Sequence, residues 1–279
     1  MEFLFQRFWH SFVERLDEKY IVARTTYQDT RVEREIVLRI DAGSLDIEEA
    51  WLLRLGRPGM MGDSREELQA LKGVKAYLGS GPELRQALRS VEDELERSLV
   101  NDTVIAVVQA ESFLYRERGY DDAAEYTRAW EEFYLGSCRY YSYLDRVQVS
   151  WGDFIGPFSR ETRLFDRCKT QQLFREDNGT YRINGSIIDS FHHMTACLEL
   201  DQDMKLSQAW ADMPRVPDKV CRESIGQVSN IIGHTLAEKP KKELAQLLGA
   251  GQGCVHLIDL LYDSTRMLEL YLSTTRDRQ

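Results

Sequence analysis

The chain has 279 residues, 43% hydrophobic and 29% charged, with a formal net charge of −10. That composition belongs to an ordered globular protein rather than a disordered one, and the length allows two domains, each with its own core. The acidic balance excludes a nucleic-acid surface, which needs clustered Lys and Arg to neutralise phosphates. It contains no apolar run near the ~20 residues of a membrane span, and the aromatic start MEFLFQRFWHSFVERLDEKY is too interrupted by charge for a signal peptide. A cytoplasmic protein with reduced thiols is therefore expected. Five cysteines without framework spacing fit that compartment.

Along the chain, Phe5, Phe8, Trp9, Phe12, Val13 and Leu16 recur at helical spacing and predict an amphipathic helix packed on the sheet behind it. Tyr20 to Asp41 and Leu45 to Leu55, rich in β-branched and aromatic residues, predict antiparallel strands joined through Ala42-Gly43-Ser44. Arg57-Pro58-Gly59 is expected to stop the sheet, and Asp63-Ser64 to open a helix with Glu66 and Glu67 in its first turn. Beyond Gly79-Ser80-Gly81-Pro82, helical periodicity runs from Glu83 to about Arg118 and again from Asp122 to Leu135. The aromatic stretch 136–165 reads as a packed junction, and its aromatic surfaces could meet a protein partner or a second copy.

The second half repeats this plan. Asp177-Asn178-Gly179 marks a hairpin, strands follow through Leu200 and from Met204 to Ala211, and Pro214 and Pro217 close the sheet. Asp218 caps a helix, and helices continue to Leu272. One offset (244 − 84 = 160) pairs Leu38 with Leu198, Asp41 with Asp201, Gly73 with Gly233 and Glu83-Leu84 with Glu243-Leu244. The fold expected is α+β: a tandem duplication of a small antiparallel sheet covered by helices. Its parts are an N-terminal repeat (1–135), the junction (136–165) and a C-terminal repeat (166–279).

Candidate chemistry gathers in the second repeat. Cys221 falls in the first turn after Asp218, and Cys254 follows the glycine run Gly249-x-Gly251-x-Gly253 at the start of the last helix. Free N–H groups and the helix dipole at such positions favour thiolate. His256 lies two residues beyond Cys254, and Asp259 is placed to orient its ring. Of the pair His192-His193, alternation turns one ring toward the helices. Together His192, Cys221, Cys254 and His256 would suit zinc or an iron–sulfur centre. Alternatively Cys254 or Cys221 acts as nucleophile or sulfur acceptor with His256 as base, or these residues only pack in an interaction module. In the first copy Glu94 and Glu96 stand where the second has Cys254 and His256, so that copy lacks the site.

The segments FHHM, VPDKVC and GCVHL, within Ile187 to Leu270, resemble an uncharacterised bacterial family of unknown function. That family has a histidine-bearing strand, a Pro-x-x-Cys-like helix start and a Gly-Cys-Thr-His-Leu signature, in which Val255 here replaces threonine. The order of elements is also similar to NifU/IscU-type iron–sulfur scaffolds and their SufE relatives. That likeness would match Cys221 and Cys254 to the middle and last scaffold cysteines, with His192 near the first. Ser190 and Phe191 occupy the neighbourhood of the first scaffold cysteine, which has no counterpart.

Overall fold

The computed structural model of the chain describes residues 1–56, 62–156, 160–235 and 239–276. Its elements run β1 (Glu2–Arg15), β2 (Tyr20–Asp29), β3 (Glu33–Asp41), β4 (Ile47–Leu55), β5 (Ser64–Glu67), α1 (Gly81–Ala87), α2 (Glu94–Ala110), α3 (Ala123–Phe133), α4 (Arg139–Ser142) and α5 (Trp151–Ile155). The second series is β6 (Arg163–Arg175), β7 (Tyr181–Asp189), β8 (His193–Leu200), β9 (Leu206–Arg215), α6 (Lys219–Arg222), α7 (Lys241–Leu247), α8 (Val255–Thr265) and α9 (Met267–Arg276). Every strand pair with a described register is antiparallel, and the fold class is α+β. Among the described residues no helix is long and apolar enough to cross a membrane.

Two expected helices are strands. β1 buries Phe5, Arg7, Trp9, Ser11 and Val13, a period of two that the polar members Arg7 and Ser11 conceal from a hydrophobicity count. Both polar residues are satisfied inside: Arg7 Nε donates to Gln171 Oε1 at 2.8 Å, and Ser11 Oγ accepts from Thr25 Oγ1 at 2.8 Å. Ser64–Glu67 pairs with β4, where the Arg65 guanidinium lies 3.7 Å from the Trp51 ring centroid and Arg54 reaches Glu66 at 2.8 Å. These cross-strand contacts override a local helix signal. The long helix expected from Glu83 to Arg118 divides into α1 and α2, with Asp93 capping the second through Leu95 N. Arg57-Pro58-Gly59 lies outside the described residues.

The chain forms two compact units that divide differently from the expected boundaries. The N-terminal unit holds Phe8–Tyr126 and Pro157–Cys168; the C-terminal unit holds Met1–Arg7, Thr127–Gly156 and Lys169–Gln279. β1 and β6 are long enough to lend one end to each, which is why a single cut in sequence does not separate them. In the N-terminal unit the strand order is β5-β4-β3-β2-β1-β6. Its helix α2 lies on β2 and β3, burying Leu99, Val100 and Val107 with Ile21, Ile36 and Leu38.

In the C-terminal unit the order is β1-β6-β7-β8-β9, with α8 on β7 and β8 and α7 beside α8. Gly185 of β7 permits that close approach, since a Cβ there would meet Ser264 Oγ at 2.8 Å and Leu260 Cδ1 at 2.9 Å. Ile187, Met194, Leu198, Leu257 and Leu261 fill the core between sheet and helix. The aromatics Trp130, Tyr140, Tyr141 and Trp151 are buried within this unit, and Trp130 Nε1 donates to Tyr141 Oη at 2.5 Å. These four side chains serve as core of this unit.

The units have matching element orders. β2, β3 and β4 in one correspond to β7, β8 and β9 in the other, and α1 (81–87) corresponds to α7 (241–247) at an offset of 160. Gly73 and Gly233, also 160 apart, both take positive φ, +80° and +87°.

Candidate metal centre

The turn between β7 and β8 is built by one carboxylate. Asp189 Oδ1 accepts from Phe191 N at 2.8 Å and His192 N at 2.6 Å, while Asp189 N donates to His192 O at 2.9 Å. An aspartate followed by this turn geometry is an Asx turn, which closes a hairpin without glycine. The same oxygen lies 3.1 Å from His192 Nδ1. With the carboxylate ionised, that ring nitrogen carries the proton, and the Nε2 lone pair is left to act as ligand. Asp189 and His192 are both buried, at 4% and 6% exposure.

His256 comes to the same place from α8. Cys254 takes the extended conformation of an N-cap (φ −100°, ψ 120°), so His256 stands on the second helical residue. The glycine run before it is there for packing. A Cβ on Gly251 would sit 2.2 Å from Gly136 O, and one on Gly253 would sit 2.0 Å from Leu248 O. The His192 and His256 rings are 4.1 Å apart at 33°. One ligand atom from each of Asp189, His192 and His256 lies within 4.8 Å of the others, a set of three donors that two strand-end residues and one helix start bring together. Phe191 stands edge-on to His192 with ring centroids 6.4 Å apart, and Trp151 packs behind Phe191 at 5.0 Å. Two imidazoles, which are borderline donors, and one harder carboxylate oxygen make a set that fits zinc or ferrous iron, with coordination positions left over.

The cysteines have another environment. Cys221 sits in α6 behind the Asp218 cap, whose side chain accepts from Val220 N at 2.9 Å, and Cys254 joins the hydrophobic core. Burial pushes the Cys221 thiol up to about 12, and the Cys138 thiol nearby adds to the shift. Cys254 is pushed up further, again chiefly by burial, with Cys138 and Cys221 adding. The expectation that helix starts would favour thiolate is therefore corrected: loss of solvation outweighs the dipole. Neither sulfur belongs to the set of donors within 4.8 Å.

Asp259 does not orient His256; it pairs with Lys241 at 2.6 Å. Cys138 is drawn toward the other two thiols by Arg139. That residue's backbone N donates to Gly253 O at 2.8 Å and its Nε to Val220 O at 3.1 Å. Asp189 was also missed, although the sequence held a signal for it: Asp29 lies 160 residues earlier and closes the β2–β3 turn in the same way.

In the N-terminal unit Glu96, 160 residues before His256 in the sequence, has a side chain that is 3% exposed. It accepts from Arg34 Nε at 3.1 Å and from Arg54 Nε and Nη2 at 2.6 and 2.7 Å. Val32 stands where the other unit has His192.

The C-terminal unit is thus an antiparallel sheet covered by helices, with a two-histidine, one-carboxylate cluster, buried at Asp189 and His192 and half-buried at His256, where a strand turn meets a helix start. Residues 165–268, which include the whole cluster and both candidate cysteines, match the model of a family described as a protein of unknown function (DUF2889). No curated protein and no solved structure matches the chain, and the likeness to iron–sulfur scaffolds finds no counterpart in these comparisons.

Proposed function

We propose that the C-terminal unit is a metal-binding module in which Asp189, His192 and His256 hold one divalent transition ion, zinc before ferrous iron. The observation that carries this reading is the convergence of three donor atoms within 4.8 Å, two of them on buried residues and the third on the half-buried His256. Donor type favours a mononuclear site over an iron–sulfur cluster, because the thiols lie outside the set. Burial raises both thiols, which weighs against Cys221 or Cys254 as a nucleophile.

The reading extends to the N-terminal unit as a diverged copy. Support comes from the shared element order, the paired glycines with positive φ and the matching Asx turns at Asp29 and Asp189. In that copy an ion cluster around Glu96 replaces the histidine pair, so it is the silent partner of the duplication.

The test is metal analysis of protein purified without oxygen, with variants H192A, H256A, D189N, C221S and C254S. Stoichiometric zinc or iron lost in the first three and kept in the cysteine variants is the expected result. Metal that depends on the cysteines and ignores the histidines, or no metal in any preparation or after zinc titration, sinks the proposal.

A further inference from the structure

The Asp189–His192 turn is gripped from the neighbouring strand. Arg215, the last residue of β9, donates from Nη2 to Asp189 O and, at 3.2 Å, to His192 O. One guanidinium nitrogen thus holds the carbonyls at both ends of the turn that supplies two of the three donors.

A register irregularity puts it there. Between the pairs His193↔Arg215 and Thr195↔Asp212, β9 spends one residue more than β8. Bulges of this kind bend a strand and re-aim its side chains. In the N-terminal unit the matching pairs Glu33↔Leu55, Arg34↔Arg54 and Glu35↔Leu53 follow without a break. There the turn carries Val32 in place of His192, and Leu55 stands where Arg215 would be. Bulge and arginine occur together beside the turn that has the histidine and are both missing beside the turn that lacks it.

We infer that Arg215 is the positioning residue of the metal centre, holding Asp189 and His192 in the geometry that binds the ion. This rests on the metal-binding reading above. The ion's affinity then depends on Arg215 more than the stability of the metal-free fold does, because the side chain is itself exposed and its bonds go to the two carbonyls of the turn.

The experiment uses the full chain with Co²⁺ alone as a spectroscopic probe and Zn²⁺ in competition, on wild type, R215M, R215K and H192A. Losing an outer partner of metal ligands weakens binding by about 10- to 100-fold, and R215M is expected in that range with the metal-free Tm close to wild type. R215K, whose single ammonium lacks the planar fork, should recover part of the affinity. Wild-type affinity in R215M overturns the inference, as does a fall in metal-free Tm that accounts for the whole loss. If R215M does not fold, wild-type affinity in R215K overturns it. Failure is separable: if wild type binds Co²⁺ and H192A does not, only the role of Arg215 has failed, whereas no binding by wild type removes the metal reading with it.

Discussion

Replacing Glu96 by glutamine tests whether the ion cluster is what fixes the start of α2 onto the N-terminal sheet. The carboxylate is 3% exposed and accepts three hydrogen bonds, two of them as a fork from Arg54. Glu96, with help from Glu66, raises the Arg54 guanidinium above its ordinary range. Glutamine keeps the shape, removes the charge and turns an N–H₂ toward two guanidiniums. Breaking a buried pair from one side costs about 3–5 kcal/mol, because a charge is left without its partner. In a chain of this size that corresponds to a drop in Tm of roughly 6–20 °C. The neighbouring Arg54–Glu66 pair is the control: both side chains are partly exposed, at 35% and 48%, and such pairs contribute ~1 kcal/mol or less. Urea unfolding followed by circular dichroism, with unchanged slope, gives the comparison. The triple replacement R34M/R54M/E96L, which removes every charge at once, should be milder than E96Q. The reasoning is refuted if E96Q costs no more than E66Q.

Three further outcomes follow from the C-terminal unit. G251A places a Cβ 2.2 Å from Gly136 O, a backbone atom that cannot step aside, and over-packing of this kind costs about 1–3 kcal/mol in the urea midpoint. G226A, with nothing within 4 Å of its Cβ, is the contrasting control, and equal effects of the two would remove the steric account. At neutral pH Cys221 and Cys254 should resist iodoacetamide until the protein unfolds, because burial raises both thiols and the thiolate of Cys221 grows only as pH approaches about 12. Rapid labelling of either in folded protein, followed by mass spectrometry, contradicts this. Burial opposes ionisation of Asp218, yet hydrogen bonds from Val220 N, Gln148 N and Val149 N outweigh it and hold the carboxyl below its usual value. A depressed carboxylate pKa stabilises above the unfolded value of ~3.9 and is lost as pH falls through the folded value. Urea titrations from pH 5 downward should therefore fall more steeply for wild type than for D218N, and parallel curves would exclude the effect.

How far the residues alone reached is clearest in particular stretches. The hairpin at Asp177-Asn178-Gly179 was legible, since Gly179 takes φ +82° and only a few residue types tolerate that. The Asp218 cap and the helix start at Cys254 were legible for the same reason: short-range chemistry decides them. β1 was not, because Arg7 and Ser11 are buried by partners from other strands, and a count of apolar residues registers only what is greasy. Glu66 and Glu67 signalled a helix start until pairing with β4 claimed their backbone.

By itself, then, the sequence determined the α+β class and the turn and cap positions, because these depend on neighbours a few residues away; of the donors proposed here it pointed to His192 and His256 and not to Asp189. Which side chains meet was decided only by the tertiary structure. A strand turn and a helix start more than sixty residues apart bring Asp189 to the histidines. The cysteines, adjacent to those same elements, are carried instead into hydrocarbon, where the cost of desolvation keeps them neutral.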